Sequence, residues 1–371
     1  MPPTMVVAAR AVRAAAEDAG LTLRDLDGLI VCRSGNATEA DLGLELARLM
    51  GLRDLRLLQA VYAEGASSVA AIQMAAMAVS FGLATRVACV FADARLEPGR
   101  AARDSFGTAK SVDGIGELRY AAGLFGGPAV YAMAARRYIA TYGAPPEAFG
   151  AVALAARQWA MMNPRAMFRQ PLTMAAYLAS RPIVEPLRLF DCAMPVNGGI
   201  AVVVTTGERA DDLRQPPVHI IGMGQGHPGT PDQAGSEREL TSGGRVARDG
   251  AFAMAGIALG DVDICEIYDA FTYSTLLTLE EYGFCGRGEA AAFVRDGRIA
   301  PGGTLPVNTG GGHLSGFYLQ GMTPVAEGVI QARGQAGARQ CIRHDIVLAT
   351  NEGGRFDHHG CLVLSPHRRA A

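Results

Sequence analysis

No CxxC pair occurs in this chain. Its seven cysteines stand apart at Cys32, Cys89, Cys192, Cys265, Cys285, Cys341 and Cys361. An odd number without paired spacing argues against both a disulfide framework and a zinc site. Most sit in apolar runs such as VACVFA and GCLVLS, where a thiol is a small core hydrophobe. That usage fits a reducing compartment, and the cytoplasm is the expected location. Basic excess is also missing. Lys and Arg number 34 against 36 Asp and Glu, a formal net charge of −2, so nothing favours nucleic acid or an anionic membrane. Gly, Gln or charge breaks every apolar run short of a membrane-spanning length. The opening MPPTMVVAARAVRAAAEDAG carries arginines and acids through its apolar stretch, unlike a signal peptide. Charged residues are only 19% and hydrophobic residues 49% of 371. A large core follows, with room for two domains or one duplicated domain.

What is present points to duplication. AGLTLRDLDGLIV (19–31) and AGIALGDVDICEI (255–267) share a helix end, a turn with two aspartates and an apolar strand. A glycine turn enters a helix in EGASSVAAIQMAAMAV, and again in NTGGGHLSGFYLQGMTPVAEGVIQARGQ. Short apolar runs (RVACVFAD, GIAVVVTTG, HIIGMG, DIVLATN, GCLVLSP) alternate with helical stretches in both halves. This is the signature of an α/β fold with mixed sheets covered by helices. Residues 94–190 interrupt the rhythm and read as an inserted loop domain. The halves are then 1–93 plus 191–215, and 216–371. The polar, glycine-rich stretch 226–250 either covers a ligand or is a flexible loop. The Met and aromatic residues of WAMMNPRAMF, Trp159 to Phe168, suit either core or a greasy ligand.

The run VYAEGASSVAAIQMAAMAV (61–79) raises a sharper question. A tight turn at Gly65-Ala66-Ser67-Ser68 opens an almost wholly apolar helix. A helix N-terminus favours negative charge and is a place for a nucleophile, yet no cysteine is there. Ser67 and Ser68 are read as helix caps. The stretches 163–204, 266–294 and 306–335, with the helix at 66–82, make the chain resemble the thiolase superfamily, in its sterol-carrier-protein-type branch. The resemblance spans nearly the whole chain. It implies a five-layered αβαβα fold of two similar halves, a homodimer and an acyl-CoA thioester substrate. It also implies a glycine-rich strand before the first helix, central in its sheet. Here the first helix begins almost at Met1.

Such enzymes use a nucleophilic Cys, a His, a second Cys and an Asn or His. The resemblance sets Gly65 at the nucleophile's position. It sets Tyr318 at the histidine's, by the NTGGG turn and Gly321, with His313 five residues earlier. Tyr268 of YDAF takes the Asn position. NEGGRFDHHGCLVLS (351–365) takes the second cysteine's loop, where His358 and His359 follow an Asn-Glu-Gly-Gly turn. Adjacent histidines in extended chain face opposite ways, so one at most enters the site. Cys361 reads as core. Gly65, Asn308, Gly311 and Gly312 are the expected substrate-binding and loop-shaping positions, and Arg238, Arg245 and Arg248 are candidates to meet CoA. No metal site or cofactor is visible beyond coenzyme A as part of the substrate.

Both thiols are gone, and two phenols stand where the Asn and the His are expected. A β-hydroxyacyl-CoA can be cleaved between Cα and Cβ without a covalent intermediate, by taking the hydroxyl proton, stabilising the thioester enolate and protonating Cα. The chain resembles thiolase-like aldolases that cleave steroid side-chain acyl-CoA. That resemblance implies Tyr268 and Tyr318 as the acid/base pair, with His313 or His359 orienting one of them. It also implies a small partner with a zinc ribbon and an OB-like domain. Two other readings stand beside it: a thiolase or acyltransferase with an unusual nucleophile, and a non-catalytic acyl-CoA-binding subunit.

Overall fold

The computed structural model describes residues 4–33, 42–99, 121, 123–124, 126–228, 240–354 and 356–368. Two four-stranded mixed sheets, each built by one half of the chain, carry the architecture. The first holds β1 (Gly28–Cys32), β2 (Leu57–Val61), β3 (Arg86–Asp93) and β6 (Gly198–Thr205), in the order β2-β1-β3-β6. The second holds β7 (His219–Gly226), β8 (Ile264–Glu266), β9 (Val347–Gly353) and β10 (His358–Ser365), in the order β7-β10-β9-β8. A small hairpin, β4 (Pro182–Val184) with β5 (Leu187–Arg188), belongs to the insertion.

Five layers follow from which faces are apolar. Helices α1 (Thr4–Asp18) and α2 (Leu42–Met50) cover the outer face of the first sheet through Val12, Leu46, Leu29 and Val90. Helix α3 (Ser67–Ser80) lies between the sheets, packing Val69 and Ile72 against Ile30, Cys89 and Leu362. Its counterpart in the second half, α8 (Met322–Ala332), shares that central layer through Met322 and Val325. The outer face of the second sheet is covered by α6 (Gly244–Ala255), with α7 (Thr272–Tyr282) beside it, and α4 (Gly126–Tyr142) and α5 (Pro146–Met161) of the insertion pack against α7. The expected αβαβα arrangement is therefore present. α3 is apolar almost all round because it is buried between two sheets.

The aspartate repeat is structural in both halves. Asp25 and Asp261 each close a 3₁₀ turn by accepting from the backbone of Thr22 and Ala258, at 2.7 and 2.8 Å. Asp27 then accepts from the N–H groups of Thr85 and Arg86, and Asp263 from those of Asp345 and Ile346. Each carboxylate thereby fixes the start of its strand to a neighbour.

The expectation of a central first strand is corrected by this symmetry. In the second half the first strand, β7, lies at the sheet's edge, antiparallel to β10. The matching place in the first half is beside β6, and no strand fills it among the described residues. A central position would have to split β1 from β3, which pair directly from Gly28↔Val87 to Val31↔Val90. β6 is half-buried along its whole length and lines an open groove with Val218, Ile220 and Val325.

The glycine loop after β8 is held from below by a polar core. Glu266 accepts from both the backbone and the hydroxyl of Thr309, at 3.1 and 2.6 Å. Arg339 makes a two-pronged pair with Glu327 at 2.7 and 3.0 Å, and Gln331 bonds Thr309 at 2.8 Å. Burial, then the charge of Glu327, pushes the Glu266 carboxyl well above its ordinary range. Arg339 is the cation of this cluster, with side-chain exposure of 9% against 8% for Glu327. Arg339→Ala is expected to cost about 3–5 kcal/mol by stranding a buried carboxylate. A lowered thermal unfolding midpoint checks it, and an unchanged midpoint contradicts the role given to Arg339.

Candidate active site

Tyr268 leaves the end of β8, and Tyr318 leaves the loop before α8. Their hydroxyl oxygens lie 2.8 Å apart, with ring centroids 6.2 Å apart. Tyr268 is 5% exposed and Tyr318 is half-buried, so one side of the pair faces outward. His313 completes the group. Its ring meets Tyr268 edge-on at 4.7 Å and Tyr318 at 5.1 Å.

Gly65 explains the absent nucleophile. A Cβ on Gly65 would stand 2.7 Å from the Tyr268 hydroxyl oxygen, 2.6 Å from the ring carbon bearing it and 1.9 Å from the carbonyl oxygen of Glu352. Real side chains do not make such contacts. The phenol of Tyr268 fills the place a side chain at residue 65 would take. The N-terminus of α3 lies directly beyond this turn and favours negative charge there. Ser67 is a capping residue, accepting from Ala63 N–H at 2.8 Å and donating to the Glu64 carbonyl at 2.6 Å. Burial pushes the thiols of Cys32, Cys192, Cys285, Cys341 and Cys361 up to about 12. All of these stay protonated near neutral pH.

Burial raises both phenols above the ordinary tyrosine range. For Tyr268 the neighbouring phenol adds to the rise. For Tyr318 the hydrogen bond from Tyr268 opposes it. Either hydroxyl can donate across this contact. Neither phenol rests as an anion.

The remaining expected residues divide clearly. Asn308, in left-handed backbone at φ +55°, accepts from Ile267 N–H at 2.6 Å and ties the YDAF turn to the glycine loop. Gly311 packs against Ala160 of α5 and gives its N–H to the Asn308 carbonyl. Gly312, at φ +57°, lies against the Asp269 carboxylate, where a Cβ would stand 2.1 Å away. Both glycines shape the loop. His359 is not brought to the pair. It lies in the core, 3.1 Å from the Tyr282 hydroxyl and 3.4 Å from Ser242, and burial holds it down to about 3. The physical reason is strand alternation: β10 turns His359 inward, while His358 faces His227 near the surface. Arg248 is committed to the C-terminal carbonyl of Tyr282 at 3.0 Å and to Asp249 at 2.6 Å. Arg245 is exposed on α6, and Arg238 lies outside the described residues.

Sequence reasoning missed three groups. Asp269, next to Tyr268, is fully buried against His313. Glu352 accepts from the Tyr131 hydroxyl at 2.7 Å, and burial lifts its carboxyl to about 8. Tyr131 comes from the insertion and stacks on Phe271 at 4.3 Å. A glutamate near the end of a fully buried strand, VLATNEG, was the available signal for Glu352. The insertion's WAMMNPRAMF stretch clamps the glycine loop: Asn163 donates to Gly310 at 2.9 Å, and the N–H groups of Met167 and Phe168 donate to the carbonyls of Gly316 and Ser315 at 2.9 and 3.0 Å. Nearby, Arg157 reaches Ser315 at 3.0 Å. Among the described residues no cluster of three metal-ligating side chains occurs, and no helix is long and apolar enough to cross a membrane.

Comparison with known proteins gives this geometry a family. Residues 230–366 match the thiolase C-terminal domain-like family. The chain is 40% identical over 339 residues to a 17-hydroxy-3-oxo-4-pregnene-20-carboxyl-CoA lyase of Mycobacterium tuberculosis, covering 88% of this chain and 86% of that one. It is 39% identical to a steroid side-chain-cleaving aldolase of Thermomonospora curvata, covering 88% and 85%. The solved Ltp2–ChsH2(DUF35) aldolase superposes with a TM-score of 0.87 at 35% identity, covering 100% of this chain and 94% of that one. A sterol-carrier-protein-2-thiolase-like protein of Mycobacterium smegmatis, at 19% identity and a TM-score of 0.73, shares the fold. The chain belongs to the thiolase superfamily, in its branch of thiolase-like aldolases, and is a carbon–carbon lyase.

Proposed function

We propose that this lyase cleaves a β-hydroxyacyl-CoA, of the steroid side-chain kind on which its relatives act, into a ketone and a short acyl-CoA. The observation that carries the reading is the 2.8 Å contact between two neutral phenols at the place where a nucleophile's side chain has no room. A retro-aldol cleavage needs a proton taken from the β-hydroxyl and a proton delivered to Cα. A pair of hydrogen-bonded neutral phenols does both at once. The β-hydroxyl proton passes to the Tyr268 oxygen. Tyr268 passes its own proton to Tyr318, and the Tyr318 proton goes to Cα. The Cα–Cβ bond breaks, its electron pair, delocalised into the thioester as enolate character develops, takes up the Tyr318 proton at Cα, and the β-carbon leaves as the ketone. No net proton is gained or lost, so no resting phenolate is required. This is why raised phenol pKa values are compatible with the chemistry. The N-terminus of α3 favours the enolate charge as it develops.

The partner reading belongs to the same proposal. The solved relative is named for two components, Ltp2 and ChsH2(DUF35). A small partner with a zinc ribbon and an OB-like domain, together with a second copy of this chain, is the expected assembly, and the cytoplasm its expected location. The direct test is a product assay on the chain with and without such a subunit. A tertiary β-hydroxyacyl-CoA should yield ketone and short acyl-CoA, and acetoacetyl-CoA with free CoA should yield nothing. Thiolytic products from the second substrate would overturn the reading.

Two predictions follow from the relay. Tyr268→Phe and Tyr318→Phe should each lower kcat roughly 10²–10⁴-fold, and the double variant should be no worse than the weaker single, because one relay is already broken. Steady-state kinetics of product formation reads this, and additive losses would mean two independent roles. Gly65→Cys should lose lyase activity to a similar extent without gaining thiolysis, since the new side chain and the Tyr268 phenol claim one space. Acyl-enzyme detected by mass spectrometry on that variant would contradict it.

A further inference from the structure

Beneath the phenol pair lies a second pair that the relay does not use. His313 and Asp269 have no side-chain exposure. The Nε2 of His313 lies 2.7 Å from the carbonyl oxygen of Gln320. A carbonyl only accepts, so Nε2 carries a hydrogen. In a neutral ring Nδ1 is then a bare lone pair. That lone pair faces Asp269 Oδ1 at 3.3 Å and has no hydrogen-bond partner among the described residues. Two acceptors sealed face to face without water repel each other unless a proton lies between them. Loop construction converges on the same carboxylate. The backbone N–H of His313 donates to Oδ1 at 2.7 Å, and among the described residues Oδ2 has no hydrogen-bond partner. Gly312 is left-handed and without a side chain against the other oxygen. The ring so fixed is the one wedged against both phenols.

We infer that Asp269 and His313 form a one-proton latch that holds Tyr268 and Tyr318 at relay distance. Both are positioning residues and act through the phenols, so the inference rests on the relay reading. Burial lifts the Asp269 carboxyl to about 7 and holds His313 down to about 4, which places the shared proton on the carboxyl. The acidic groups around it are Glu266 on its own strand, Tyr268 beside it and Tyr318 on the facing loop; Glu352 lies beyond Tyr268. All are acids, so none supplies a cation to hold an Asp269 anion. The sign follows. Asp269 is protonated below its raised pKa and the latch is closed. As pH rises through about 7 the proton is lost, the carboxylate repels the Nδ1 lone pair and the ring is released.

The test is kcat against pH, from about pH 6 to pH 9, for the active enzyme, Asp269→Asn and Asp269→Ala. Asn keeps a carbonyl oxygen for the His313 backbone N–H and does not titrate. The native enzyme should lose rate on the alkaline side. Asp269→Asn should run at least about ten times faster than Asp269→Ala at pH 6.5 and lose the limb centred near pH 7. Glu352 keeps its own limb at higher pH in both. An Asn variant as slow as the Ala variant, or one with the native pH profile, overturns the latch. Should Asp269→Ala fail to fold, the isosteric Asn variant against the native profile decides alone. Full activity in the two Tyr→Phe variants would remove the relay itself, whereas impaired phenylalanine variants beside an unshifted Asn profile would remove only the latch.

Discussion

The site depends on one steric exchange. Residue 65 has no side chain, and the phenol of Tyr268 occupies the volume that a side chain would need. Every other feature follows from where that phenol ends. Its hydroxyl meets Tyr318, its ring meets His313, and its backbone begins the turn that carries Asp269 inward. A cysteine thiolate at this helix terminus would be a charged nucleophile. A phenol there is a neutral group that both gives and takes a proton. The fold is the same, and the chemistry differs because one volume element has been reassigned between two residues far apart in the chain.

Neutrality is the second theme. Tyr268, Tyr318, Asp269 and Glu352 are all acids whose protonated form burial favours, while His313 is a base whose unprotonated form burial favours. Below the raised pKa values of Asp269 and Glu352 this group of side chains holds no net charge. The charge that appears during cleavage is the enolate's own, so the preorganised donors meet little competition from fixed anions. The polar core around Glu266, Thr309, Glu327 and Arg339 keeps the glycine loop rigid enough to preserve distances of this order.

Much of this was legible in the chain. The paired aspartate turns announced the duplication because the same backbone problem, starting a buried strand, was solved twice with the same residue type. Tyr268 and Tyr318 were legible because they stand where polar residues of another kind are expected. His359 misled for a physical reason: which face of a strand a residue takes depends on register, and DHHG offers both faces. Asp269 and Glu352 were hidden because their roles come from burial, which a lone acidic letter does not display. The edge position of the first strand was also invisible, since strand order is a property of three-dimensional pairing and not of chain order.

The Gly65–Tyr268 exchange has an evolutionary consequence. Restoring a side chain at residue 65 collides with the phenol, and shrinking residue 268 first leaves a void with neither chemistry. The two positions are epistatic, and single-step intermediates between a thiol-dependent and a phenol-dependent site are unfit for either reaction. Lineages that cross between the two therefore change both residues together or pass through a duplicated copy free of selection. Within sequences of this fold, glycine at one position and tyrosine at the other should be inherited as a unit.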